Sequence, residues 1–167
     1  NSDFANYWIH VAPLNVDGKK MSKSLGNYFT IRELLKKFHP EVLKVFFLLS
    51  HYRKPINYTE DSISEAKNIL DKLYESIRES EKFDSTNTDR KIFDLFTEAL
   101  KDDFNTSQAL KILQKTSQNL NSTEDENEKE ILSNTLKSLG KILGIFNYSS
   151  KEYFQANLDQ GITRENI

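Results

Sequence analysis

Lys20-Met21-Ser22-Lys23-Ser24 sets two ammonium groups three residues apart, with two hydroxyls among them, and Asp17-Gly18 and Gly26-Asn27 bracket the run. That mix suits a polyphosphate. Lysines supply point charges, serines supply hydrogen-bond donors, and glycines let the backbone approach an anion closely. An anion held there gains most while negative charge is building on it, as on a departing pyrophosphate. The residue types therefore offer a nucleotide-phosphate loop. A solvated surface loop has the same composition, and residue types alone do not separate the two.

Other chemistries have less to stand on. There is no cysteine, so no disulfide framework or thiolate metal site can be built from this sequence. His10, His39 and His51 have no spacing that makes a ligand face, and they read as packing or capping residues rather than as a metal site. Lys and Arg number 23 against 25 Asp and Glu, a net of −2. The average hides a split. Residues 1–58 hold nine basic and four acidic residues, a net of +5, which leaves −7 for residues 59–167. The first third is thus suited to meet an anion. The longest apolar run, around residues 45–49, is far below the roughly 18–20 residues that span a bilayer, and no secretory signal opens the chain. The expectation is a cytoplasmic protein with no membrane association. The chain starts at Asn1, and Thr163-Arg164-Glu165-Asn166-Ile167 resembles a helix start cut short, so it reads as a piece of something longer.

The elements that must position the loop follow from turn and capping signals. The aromatics of residues 3–11 (Phe4, Tyr7, Trp8) predict a buried helix end or strand. Leu14-Asn15-Val16, Asp17-Gly18 and Lys19-Lys20-Met21 predict a short hairpin. Thr30 and Glu33 have capping-box spacing, so a helix starts at Thr30 and ends near Phe38. Pro40 begins the next, to about Ser50, burying Val42, Leu43, Phe46, Phe47 and Leu49. An extended link covers residues 51–58. From Thr59 the pattern is helical. Ile63, Ala66, Leu70, Leu73 and Ile77 form one seam. Ile92, Phe93, Phe96, Ala99 and Leu100 follow an Asp89 cap, and Ala109, Leu110, Leu113 and Leu120 follow Asn105 or Thr106. Ile131, Leu132, Thr135, Leu136, Leu139, Ile142 and Leu143 end at Gly144. The fold class is mainly α, with an antiparallel four-helix bundle over residues 59–147. Residues 148–167 lack periodicity and read as a linker.

Residues 20–24 match the KMSKS signature of class I aminoacyl-tRNA synthetases, followed here by Leu25-Gly26-Asn27. Wider blocks resemble the cysteinyl-tRNA synthetase family: Phe4-Ala5-Asn6-Tyr7-Trp8-Ile9-His10, Val16-Asp17-Gly18, Pro40-Glu41-Val42-Leu43, His51-Tyr52-Arg53, Pro55-Ile56-Asn57-Tyr58 and Asp102-Asp103-Phe104-Asn105-Thr106. The resemblance implies the end of a Rossmann-like catalytic domain with the signature loop at 1–29 and stem-contact helices at 30–58. Beyond them it implies a helical bundle at 59–147 and a linker at 148–167 into an anticodon-binding region.

It also implies roles. ATP, with Mg2+, would lie against Lys20, Met21, Ser22, Lys23 and Ser24. Lys23 would stabilise the phosphates as pyrophosphate leaves, assisted by Lys20, while Gly18 and Gly26 act as hinges. Cysteine and tRNA(Cys) would be the other partners of a monomeric ligase. The family's HIGH-type motif and zinc ligands would lie outside these residues, leaving this piece inactive alone. Arg32, Lys36, Lys37, Arg53 and Lys54 would either meet tRNA phosphates or form solvated helix faces, and both readings stand. The turn at 102–106 is either functional or a helix boundary with Phe104 buried and Asn105 or Thr106 capping; the boundary reading is favoured. Two rivals remain: the ligase joining cysteine to an amino sugar in mycothiol synthesis, and a non-catalytic helical interaction module.

Overall fold

Asp17 and Gly18 both take positive φ, 49° and 76°, the backbone a two-residue turn between twisted strands requires. They join β1 (Leu14–Val16) to β2 (Lys19–Lys20) in antiparallel register, Asn15 opposite Lys20 and Val16 opposite Lys19. A third strand, β3 (Ile56–Tyr58), lies parallel to β1, so the sheet order is β2-β1-β3. This computed structural model describes residues 4–79 and 87–159. The expected helix start at 163–167 lies outside the described residues.

Two helices cross over between β1 and β3. The capping box at Thr30 and Glu33 opens α1 (Ile31–Leu34), which is shorter than the sequence predicts and passes into turns before Phe38. Pro40 occupies the first position of α2 (Pro40–Leu48), where its missing N–H costs nothing, and His39 Nδ1 caps it by accepting from the Glu41 N–H. α2 buries Val42, Leu43, Val45 and Phe46; Phe47, expected inside, is 36% exposed because Val45 takes the inward face.

The remaining helices are α3 (Glu60–Ile77), α4 (Arg90–Lys101), α5 (Thr106–Ser122), α6 (Glu126–Ile142) and α7 (Ser150–Asp159). Thr59, Asp89, Asn105 and Asp125 cap α3 to α6 through their side-chain oxygens. The apolar seams converge as the spacing predicts, with Ile63, Ala66, Leu70, Leu73, Phe96, Ala109, Leu110, Leu113, Leu136 and Leu139 all buried. α3 packs against α2, α5, α6 and α7, and α5 packs against α4 and α6. Ile142 departs from the expected seam and is 53% exposed, because α6 ends there and the chain reverses at Gly144.

Two expectations fail. The aromatics near the start are not a buried element: Phe4, Tyr7 and Trp8 are 95%, 90% and 69% exposed and lie outside regular structure. Residues 150–159 are a helix rather than linker. Ser149 and Glu152 form a reciprocal cap, and α7 buries Tyr153 against Tyr74, ring on ring at 4.0 Å. The S-x-x-E spacing at Ser149 was the available signal.

α7 is locked by a buried polar network. Glu41 is 1% exposed and among the described residues has no cationic partner; its carboxylate accepts from Tyr74 O–H (2.7 Å), Phe146 N–H (3.1 Å), Asn147 N–H (3.0 Å) and the Asn147 amide (2.7 Å). Tyr153 O–H donates to Asp71, which also pairs with Lys67 at 2.8 Å. Burial, reinforced by the hydrogen bond to Glu41, pushes the Tyr74 phenol well above its ordinary range.

Candidate phosphate loop

The loop grows from the hairpin. Met21 N–H continues the ladder to Leu14 C=O at 3.0 Å, and the chain then turns outward. Lys23–Leu25 make a single 3-10 turn that Gly26 closes in the left-handed region, φ 67°, its N–H returning to Lys23 C=O. Asn27 holds the loop shut at its base. Its Oδ1 accepts from Ser22 N–H at 2.9 Å and its amide donates to Lys20 C=O at 3.3 Å. One side chain thus ties both arms of a six-residue excursion.

Within that frame Ser22 and Ser24 hydroxyls are 3.2 Å apart. Met21 is half-buried. Lys20 and Lys23 are exposed, and among the described residues neither has a carboxylate partner. Lys23 Nζ lies over the Tyr28 ring, 5.4 Å from its centre, a cation–π contact that parks the ammonium beside the loop. Two ammoniums without carboxylate partners and two hydroxyls on one tied loop can receive a multivalent anion without first breaking an ion pair.

The hairpin apex is fixed from β3. Gly18 N–H donates to Asn57 Oδ1 at 2.8 Å, and Asp17 N–H donates to Tyr58 C=O at 3.1 Å. Sequence reasoning missed the ties made by Asn27, read only as bracketing the run, and by Asn57, whose partner lies 39 residues away and leaves no local signal.

The basic candidates divide. Arg32 on α1, Lys36 and Lys37 after it, and Lys54 are exposed. Arg53 is engaged instead: its Nε donates to Asp103 Oδ2 at 2.5 Å and Nη2 to Oδ1 at 3.1 Å, while Tyr52 O–H donates to the same carboxylate at 2.5 Å. The 102–106 turn therefore does more than end a helix. Asn105 caps α5 as expected, but Phe104, expected inside, is 58% exposed, because Asp103 and Phe104 both take positive φ and swing its ring outward.

No group of three or more His, Cys, Asp or Glu positioned for a metal exists among the described residues, and the sequence has no cysteine. These residues do not fit a zinc site. No helix among them is long and apolar enough to cross a membrane.

The loop lies in a segment that matches known proteins. Residues 1–68 match the family model of the class I (C) tRNA synthetase catalytic domain, and residues 95–147 match that of the DALR domain. The chain is 40% identical over 166 residues to the cysteine–tRNA ligase of Acinetobacter baylyi, covering 95% of this chain and 35% of that protein. It is 42% identical over 161 residues to the cysteine–tRNA ligase of a Marinomonas species, covering 93% and 34%. The chain spans about a third of the length of these curated relatives. With both domain models matched and the signature loop built on a sheet edge beside a helical bundle, the chain belongs to the class I cysteine–tRNA ligase family.

Proposed function

We propose that this chain supplies the ATP-facing loop and the helical bundle of a cytoplasmic enzyme that joins cysteine to tRNA(Cys). The observation that carries the reading is the loop at residues 20–24, tied at its base by Asn27, with exposed Lys20 and Lys23 ammoniums that have no carboxylate partner among the described residues. In the first step a cysteine carboxylate oxygen attacks the α-phosphorus of ATP. The bond from that phosphorus to the bridging oxygen breaks, and pyrophosphate carries the electron pair away. Lys23 meets the charge growing on the departing phosphates, Lys20 assists, and the Ser22 and Ser24 hydroxyls donate to phosphate oxygens. Tyr28 holds Lys23 aside until the nucleotide arrives. Mg2+ accompanies ATP as part of the substrate, and zinc ligands belong to parts of the enzyme other than the described residues. Arg32, Lys36, Lys37 and Lys54 are free to contact tRNA phosphates, whereas Arg53 is neutralised by Asp103.

The test is single-turnover adenylation by the intact enzyme. Lys23→Ala is expected to slow cysteinyl-adenylate formation by roughly 10²–10³, the scale of losing one preorganised charge partner, and a loss below about threefold rejects the role. Cysteine-dependent pyrophosphate exchange without tRNA charging would point to the amino-sugar ligase. The absence of both would leave a helical interaction module.

A further inference from the structure

The turn joining α4 to α5 has a backbone that capping alone does not call for. Asp103 and Phe104 adopt φ of 51° and 54°, adjacent non-glycine residues in the left-handed region, which L side chains disfavour. Burial does not hold them there, since Phe104 is 58% exposed. What the conformation achieves is aim. It presents the Asp103 carboxylate to the fork of Arg53 and to the Tyr52 hydroxyl together, with Arg53 lying over the Tyr52 ring at 4.9 Å and His51 Nε2 at 3.8 Å. The same turn is stitched to α2, where Thr106 Oγ1 donates to Leu48 C=O at 3.0 Å.

From that clasp the chain leads straight to the phosphate loop. Tyr52 C=O accepts from Ala12 N–H at 2.9 Å, and Ile56 N–H donates to Pro13 C=O at 3.3 Å. β3 then runs parallel to β1 and ends at Asn57 and Tyr58, the two residues that hold the hairpin apex at Gly18 and Asp17. Among the described residues, every hydrogen bond to the apex from outside the hairpin comes from within five residues of Arg53. We propose that Asp103 is a positioning residue for the adenylation step: by fixing Arg53 and Tyr52 it sets, through β3, the angle at which the hairpin presents residues 20–24. It touches no substrate. The proposal rests on reading that loop as ATP-facing, and a misplacement of about 1 Å at such a site costs on the order of a hundredfold in rate.

The experiment uses the intact enzyme carrying Asp103→Asn, Asp103→Ala or Arg53→Lys, the last because a point charge cannot replace the planar fork. Amide hydrogen exchange over residues 14–21 is expected to quicken by roughly tenfold in each variant, with α3 and α6 core amides at the wild-type rate. In cysteine-dependent pyrophosphate exchange the KM for ATP rises and kcat falls while the KM for cysteine is unchanged. In a Lys23→Ala background Asp103→Asn adds less than about a twofold further loss, since both changes act through one loop. Unchanged exchange over 14–21, uniformly faster exchange across the bundle, or losses that multiply with Lys23→Ala would overturn the proposal. If the wild-type enzyme shows no pyrophosphate exchange, the ATP reading fails, and amide exchange over 14–21 still decides whether Asp103 governs the hairpin.

Discussion

Asn27 carries a task out of proportion to its place at the end of a signature. A loop of two lysines and two serines that must be open to a nucleotide has little burial to hold it, so its shape depends on a few hydrogen bonds. Asn27 makes two of them, to Ser22 N–H and Lys20 C=O. Asn27→Ala leaves both backbone groups to water and lets the arms separate. The expected outcome is a rise of about tenfold in the KM for ATP in pyrophosphate exchange, the scale of one net hydrogen bond and its lost preorganisation. A KM within about twofold of wild type would show that the loop is ordered by the nucleotide and not by this side chain. The loop's position was legible in the sequence because Gly26 and the paired lysines and serines are local features. The tie was not, because an asparagine after glycine reads equally as a chain breaker.

At the level of elements, α7 decides whether the bundle stops at α6. Tyr153 is fully buried, stacks on Tyr74, and donates to Asp71 inside the core. Tyr153→Ala should lower unfolding stability by about 3–5 kcal/mol, as for other buried aromatic truncations, measured by urea denaturation. A cost under about 0.5 kcal/mol would mean that the helix rests on the bundle without contributing to it. Glu41 tests the same corner from the other side. All of its partners in this corner are donors, so Glu41→Gln turns an NH2 group toward them and should cost about 1–3 kcal/mol. Phe146, at φ 62°, places its N–H on Glu41 and so ties the reversal after α6 to α2.

For the whole molecule, acid is the informative stress. Burial holds the His39 imidazole below the usual 6.5, outweighing the opposing pull of Glu41. The unfolded chain therefore binds more protons in that window, so stability is lost as pH falls below 6.5, and protonation also removes the Nδ1 that caps α2. The Asp103 carboxyl is lowered from 3.8 to about 2, first by the Arg53 hydrogen bond and then by Tyr52. Its contribution is complete above 3.8 and is lost as pH falls toward 2. Glu33 and Glu152, each held low by a backbone N–H at a helix start, add to that lower stage. Unfolding free energy should thus decline in two stages. His39→Asn, which keeps a capping acceptor but cannot charge, should flatten the upper one, and Asp103→Asn should reduce the lower. An unaltered slope between about pH 7 and pH 5 in His39→Asn would assign the upper stage to another group.

Caps and seams were open to reading from the amino acids alone because they depend on neighbours three or four positions apart: Thr30 with Glu33, Asp89 before α4, the apolar seam of α3, the Asp17-Gly18 turn. The signature loop and its family were open for the same reason, being contiguous. Tertiary structure decided what distant residues do to one another. Asp103 reaches Arg53 across 50 positions, Asn57 reaches Gly18 across 39, and Glu41 reaches Phe146 across 105. No local preference encodes such pairings, since each exists only once strand pairing or helix packing has brought the two backbones together. That is also why Phe104 and the aromatics near the start, apolar by type, are exposed, while Glu41, charged by type, is buried.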